Sequence, residues 1–231
     1  MSHAYRVCIF FVLALSIGCA PSQQVEEVNL SGFLEDYSML RKEGKGEPAL
    51  IYRHPIISLA SYDKALIDTV TVWLKGDSGL SEIPLRELRQ LQLLLHVKII
   101  EALRRESYHI VQEPGPRVMR IQAALTEAEQ SNVVLDMVST ILPQAHLLSG
   151  AKKLATGTHS FVGKAGIEAK ITDAETGELL VAAVDRRAGG KTLQGSTNSW
   201  DDVEQAFQFW SDRFSYRLCQ ERGRGFCVPP E

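Results

Sequence analysis

Several ingredients are scarce in this sequence, and each scarcity closes a class of function. No long basic block occurs, and the net charge is only -3, so the electrostatic footprint of a nucleic-acid binder is missing. The four cysteines form no Cys-x-x-Cys pair and no Cys/His cluster at zinc spacing, so no metal and no cofactor is expected. His54, His96, His109, His146 and His159 are scattered, without a His-x-x-x-His or His-Glu-x-x-His pair. The Gly-x-Ser-x-Gly elbow of an α/β-hydrolase is absent. Internal repeats and low-complexity tracts are lacking as well. What remains is a chain of 231 residues with 45% apolar side chains, enough for one sizeable domain.

The N-terminus has its own character. Arg6 precedes Val7 to Ile17, an uncharged apolar run of eleven residues. That is the layout of a secretory signal, and the run is too short for a membrane span, which needs about 20 apolar residues. The end of the run, Leu15-Ser16-Ile17-Gly18-Cys19-Ala20, resembles a lipobox, the site at which lipoprotein precursors are cut before an acylated cysteine. Ser16 stands where that pattern prefers leucine. The resemblance implies removal of residues 1–18 and palmitate-type acylation of Cys19. More than one acyl chain at Cys19 would anchor stably, at ~0.8 kcal/mol per buried methylene. Ala20 stands where inner-membrane lipoproteins carry aspartate, which points to the periplasmic side of the outer membrane. Residues 19–30 are expected to form the lipidated cysteine and a polar tether, reaching at most about 40 Å. Residues 31–231 are expected to form a single domain. With Arg6 gone, 24 basic side chains face 28 acidic ones. In that oxidising compartment the two remaining cysteines, Cys219 and Cys227, are expected to form a disulfide.

Periodicity organises the mature chain. Leu85, Leu88, Leu91, Leu95, Ile99 and Ala102 recur at helical steps and predict a helix over 82–105, with Ser81 as cap and Pro84 tolerated in its first turn. Phe33, Leu34, Tyr37 and Leu40 predict a short helix within 31–42. Short strands are expected over 49–52, 66–74 and 108–111. A strand over 118–126 is joined to the last of these across Pro114-Gly115-Pro116. The clearest strand runs over 161–172, with Phe161, Ala165, Ile167, Ala169 and Ile171 on a buried face and Lys164, Glu168 and Lys170 on a wet one. Asp173 to Gly177 is a turn, and 179–184 returns as the hairpin partner. A last helix starts at Ser199, with Val203, Phe207, Trp210, Phe214 and Leu218 as its stripe. The expected fold is α+β: a mostly antiparallel sheet of five or six strands with helices packed on one face.

Four stretches carry a family resemblance: Tyr52-Arg53 to Trp73, Leu142-Pro143-Gln144 to Leu148, Val162-Gly163, and ITDAETGELLVAAVDRRAGG at 171–190. They resemble domain-of-unknown-function family 3313, whose members are mostly bacterial lipoprotein-type sequences. The resemblance covers most of 31–220 and implies an envelope setting with no established activity. A looser likeness, to envelope lipoprotein domains of the curli-secretion type, is an analogy of fold alone.

Local motifs for chemistry are weak. Gly189-Gly190-Lys191-Thr192 lacks the earlier glycine of a phosphate loop, because Asp185 stands in its place. Thr158-His159-Ser160 sets a hydroxyl beside an imidazole, but neighbours on a strand point to opposite sides. Asp185-Arg186-Arg187 is the most suggestive polar cluster: a guanidinium there could pair with Asp185 or with an anionic partner. The stripe in 131–156 supplies the other candidate contacts, Leu147 and Leu148 flanked by Lys152 and Lys153. Candidate partner contacts are therefore Leu147, Leu148, Lys152, Lys153, Arg186 and Arg187.

The function expected from the sequence is that of a membrane-anchored envelope lipoprotein, a non-catalytic interaction module contacting the membrane and other envelope proteins. The alternative is an envelope hydrolase acting on cell-wall or lipid material. A serine or carboxylate beside a histidine in a cleft would favour the hydrolase, and an internal cavity would favour a small-molecule carrier. Replacing Cys19→Ala is expected to abolish incorporation of radioactive fatty acid and leave an uncut precursor. Label retained by that variant would remove the basis for anchoring at this residue.

Overall fold

The alternating segments become strands of one sheet, and the leucine stripe becomes a helix packed on it. These features belong to a computed structural model that describes residues 22–44, 46–74, 78–131, 163–189 and 199–230. In chain order the elements are β1 (Gln23–Gln24), β2 (Leu50–Arg53), β3 (Lys64–Ile67), β4 (Thr71–Val72), α1 (Leu85–Arg105), β5 (His109–Val111), β6 (Val118–Glu129), β7 (Lys164–Asp173), β8 (Leu179–Ala188) and α2 (Asp201–Glu221). The strand order is β1-β8-β7-β6-β3-β5, with β2 also paired to β8 and β4 to β6. No described helix is long and apolar enough to cross a membrane.

The hairpin of β7 and β8 forms where the turn chemistry calls for it. Asp173 Oδ1 accepts the N–H groups of Glu175 (2.9 Å) and Thr176 (2.8 Å), and Gly177 takes φ +76°, a conformation that costs a side-chain-bearing residue. The Thr176 amide is the main cause that holds the Asp173 carboxyl below its ordinary range. The Asp-x-x-Thr-Gly phrase is thus a structural turn.

The expected sheet is corrected in three respects: it has eight strands, it is mixed, and two α-helices are present among the described residues. It is therefore not the mostly antiparallel sheet of five or six strands with helices on one face. β3 runs parallel to both β5 and β6, and β4 runs parallel to β6. Tyr108 to Val111 and the strand beyond Pro114-Gly115-Pro116 do not pair with each other, because β3 lies between them. Parallel neighbours need a crossover of a dozen residues or more, and α1 supplies it between β3 and β5. A local pattern of alternation carries no record of which distant strand will be the neighbour.

The two helices close one core. Leu88, Leu91 and Leu95 of α1 meet Val203, Ala206 and Phe207 of α2 over Leu125 and Ala165 of the sheet. A second cluster joins Leu103, Tyr108, Met119, Ile171 and Leu218. Arg104 and Arg105 occupy the last turn of α1, where cations suit the helix dipole. α2 begins at Asp201 rather than Ser199, and the Asp202 carboxylate accepts the Gly163 N–H at 2.7 Å. Cys219 and Cys227 form a disulfide, the pairing expected from the sequence.

The strand face read as wet is roofed. Residues 31–42 contain no helix, since Gly32 (φ +95°) and Glu35 (φ +67°) turn the chain repeatedly. Phe33, Leu34, Tyr37 and Leu40 nevertheless pack together on Ala182 and Val184. Beneath them Glu168 is fully buried, at 0% exposure. It accepts the Ser31 N–H and the Tyr37 hydroxyl, both at 2.6 Å, so its burial is matched by donors. Lys170 lies over the Phe33 ring at 5.6 Å. Tyr37→Phe is expected to leave a buried acceptor one donor short and to cost about 1–3 kcal/mol, measured by urea unfolding. A loss too small to measure would show that the Tyr37 bond does not hold the roof.

Candidate functional site

On the helix-facing side of the sheet, alanine stands where larger side chains could fill the core. The register places Ala123 opposite Ala169 and Ala169 opposite Ala183, so three alanines lie side by side across β6, β7 and β8. Ile51 of β2 ends the row beside Ala183. Ile121, Ile171 and Val181 form the row on one side. The short side chains leave a cavity of about 440 Å³ between sheet and helices, with Leu95, Ile99, Phe207, Trp210 and Phe214 on its helical side. Ile167, Ala169, Val181 and Ala183 lie within long strands yet are only half-buried, because they face this space.

Arginine dominates the polar part of the lining. Arg53 Nη2 meets Glu47 Oε2 at 2.6 Å, and Arg213 and Arg217 both reach Glu47 Oε1. Arg53 also contacts Glu43 at 2.5 Å. Three guanidiniums therefore share two carboxylates. The Nε atoms of Arg213 and Arg217 are buried and have no hydrogen-bond partner among the described residues. Burial is the main cause that pushes the Arg213 guanidinium below its ordinary value. An apolar chamber with surplus cationic donors suits a slender apolar ligand carrying an anionic end.

Asp185 lies at the edge of the same chamber. Its carboxylate accepts from Gln24 Nε2 (2.9 Å), Ala49 N–H (3.1 Å) and Trp210 Nε1 (2.7 Å). Burial raises its pKa above the ordinary 3.8, against the opposing effect of those bonds and of Arg187. Arg186 takes the other face of β8 and forks onto Glu127 at 2.5 and 2.6 Å. Arg187 is buried, stacks on Phe209 at 3.4 Å, and donates to the Ser22 hydroxyl at 2.8 Å and to the Ser22 carbonyl. Desolvation pulls its pKa down to about 10. Strand alternation thus sends Arg186 to the face opposite the one shared by Asp185 and Arg187.

Of the sequence-derived candidates, Arg186 and Arg187 are engaged within the chain, and the disulfide of Cys219 and Cys227 is formed. Cys19, Leu147, Leu148, Lys152 and Lys153 lie outside the described residues. Sequence reading missed Glu47, Arg53, Arg213, Arg217 and the alanine row. Arg213 and Arg217 stand four apart on one helix and so share a face, a signal that was available. The alanines become a row only through the strand register.

Two groups of the kind a hydrolase uses, His54 and Ser58, also line this chamber, and each has local partners. His54 Nδ1 accepts the N–H groups of Ile56 (3.2 Å) and Ile57 (2.9 Å), and its Nε2 faces Glu178 at 3.1 Å. The nearby Ser58 hydroxyl accepts the Ala60 N–H at 3.1 Å and donates to Glu221. Among the described residues no three His, Cys, Asp or Glu side chains gather at a metal-binding arrangement. Gly189 is required by packing, since a Cβ there would fall 2.0 Å from the Asp202 carboxylate.

A family model described as a protein of unknown function, DUF3313, matches residues 29–214. The chain belongs to the DUF3313 family. The matched residues of this DUF3313 domain include the β7–β8 turn, the alanine row and Asp185. No curated protein matches the chain. Among solved structures, it is similar to the PelC dodecamer from Paraburkholderia phytofirmans at 9% identity and a TM-score of 0.39, over 71% of this chain and 94% of that one. A point variant of the same dodecamer gives 10% identity and a TM-score of 0.39, over 71% and 93%. A likeness of that size carries no argument.

The raised pKa of Asp185 has a definite sign. A buried carboxyl whose folded value exceeds 3.8 favours folding below that pH and opposes it increasingly as pH rises through the folded value. Asp185→Asn should therefore gain thermal stability relative to the parent as pH rises from about 3.5 to 7. Thermal unfolding of both proteins across that range checks it, and a relative loss on raising pH would contradict the assigned direction.

Proposed function

We propose that the protein is a lipid-anchored bacterial envelope protein, held through Cys19 on the periplasmic side of the outer membrane, whose DUF3313 domain is a non-catalytic binding module. The ligand class is a slender apolar molecule with an anionic end. The cavity over the alanine row, lined by Arg53, Arg213 and Arg217, is the observation that carries this reading. Apolar wall without partner atoms forfeits dispersion contacts, and larger residues at any of three positions would recover them. Binding sites commonly combine such walls with a few convergent polar groups. The hydrolase alternative draws less support, because His54 and Ser58 already serve local backbone and carboxylate partners.

The test uses the mature chain with Cys19→Ser, which needs no detergent, and a dansyl-labelled fatty acid as probe. Saturable fluorescence enhancement is expected. Ala169→Leu should fill the chamber and weaken binding at least about tenfold while the circular dichroism spectrum stays unchanged. Arg213→Gln should weaken the carboxylate probe more than its methyl ester. Equal binding by the parent and Ala169→Leu would place the probe elsewhere and sink the proposal.

A further inference from the structure

We infer that the disulfide-stapled C-terminal segment 222–230 is a second membrane contact, seated against the same lipid surface as the acyl anchor. This inference rests on the proposed acylation of Cys19 and takes that reading further. Only two residues separate Cys19 from Ser22, a reach of about 10 Å over three Cα–Cα steps at full extension. Ser22 is itself a fixed point of the fold. It is buried, at 6% exposure, and held through its hydroxyl and carbonyl by Arg187. The next two residues pair with Arg187 and Ala188 of β8, and Val25 packs on Ala188. An acyl chain on Cys19 would therefore hold the surface around Ser22 against the bilayer.

That surface contains the chain's C-terminal end. Ser22 and Phe209 share a cleft of about 670 Å³ with Phe226, Cys227, Val228 and Pro229. Phe226 is 85% exposed and Val228 is 69% exposed. The link from Cys227 to Cys219, on the last turns of α2, ties this segment to the domain. Two large apolar side chains in water are a standing cost that insertion at a lipid interface removes. The basic side chains at the cleft are already matched: Arg105 pairs with Asp212 at 2.6 Å, and Arg224 pairs with Glu106 at 3.5 Å. Apolar insertion, rather than attraction to anionic headgroups, is what this surface offers a membrane. The contact should therefore be indifferent to lipid charge and to salt.

The experiment uses the full acylated mature protein carrying Phe226→Trp, reconstituted into phosphatidylcholine vesicles with and without lipid brominated near the top of its acyl chains. Emission from the introduced tryptophan is obtained by subtracting the parent, which carries three tryptophans. Bromination is expected to lower that emission roughly twofold or more, and equally when part of the lipid is phosphatidylglycerol. Flotation with the vesicles reports anchoring independently. Flotation without quenching overturns this inference and leaves the anchor standing. Failure to float overturns the anchor and this inference together. Quenching that appears only with anionic lipid overturns the apolar mode of contact.

Discussion

Pairing of β7 with β8 on one side and β6 on the other decides which side chains of these three strands look towards the helices. Once those registers are set, Ala123, Ala169 and Ala183 fall in one row, and the chamber beneath the helices follows. The same alternation turns Asp185 and Arg187 away from Arg186. It also places Glu168 on the face that residues 31–41 must cover. A shift of one residue would exchange the two sets. It would bring Lys164, Glu168 and Lys170 under the helices and leave the isoleucines beneath a roof shaped for other side chains.

Charges taken out of water in this fold are met in three ways. Glu168 receives two short neutral donors. Arg186 and Glu127 form a two-pronged pair, the geometry that best offsets desolvation of both partners. Glu47 is shared among three arginines, and in that cluster the Nε atoms of Arg213 and Arg217 are buried without a partner among the described residues, as are Asp63 Oδ1 and His96 Nδ1 elsewhere. Two unmatched guanidinium donors beside one chamber set this cluster apart from the matched Glu168 and Arg186 groups.

Much of the local structure was legible. The leucine period of α1, the turn at Asp173 to Gly177 and the disulfide of Cys219 with Cys227 each rest on chemistry within a short stretch of chain. The roof was half legible: its four apolar residues were found, but as a helix, since Gly32 and Glu35 take positive φ through contacts that periodicity cannot register. Arg213 and Arg217 could have been read as a pair. Glu47 and Arg53, distant in sequence from them, could not.

By itself the sequence determined the two long helices, the β7–β8 hairpin with its turn, the oxidised cysteine pair and the family, because side-chain period, backbone conformation and motif are local properties. Tertiary structure alone decided the parallel neighbours of β3, the alanine row, the arginine cluster on Glu47 and the meeting of Ser22 with the C-terminal segment. Each joins residues far apart along the chain. Such contacts depend on strand register and helix crossover, which arise only when the apolar faces of separate elements are buried together.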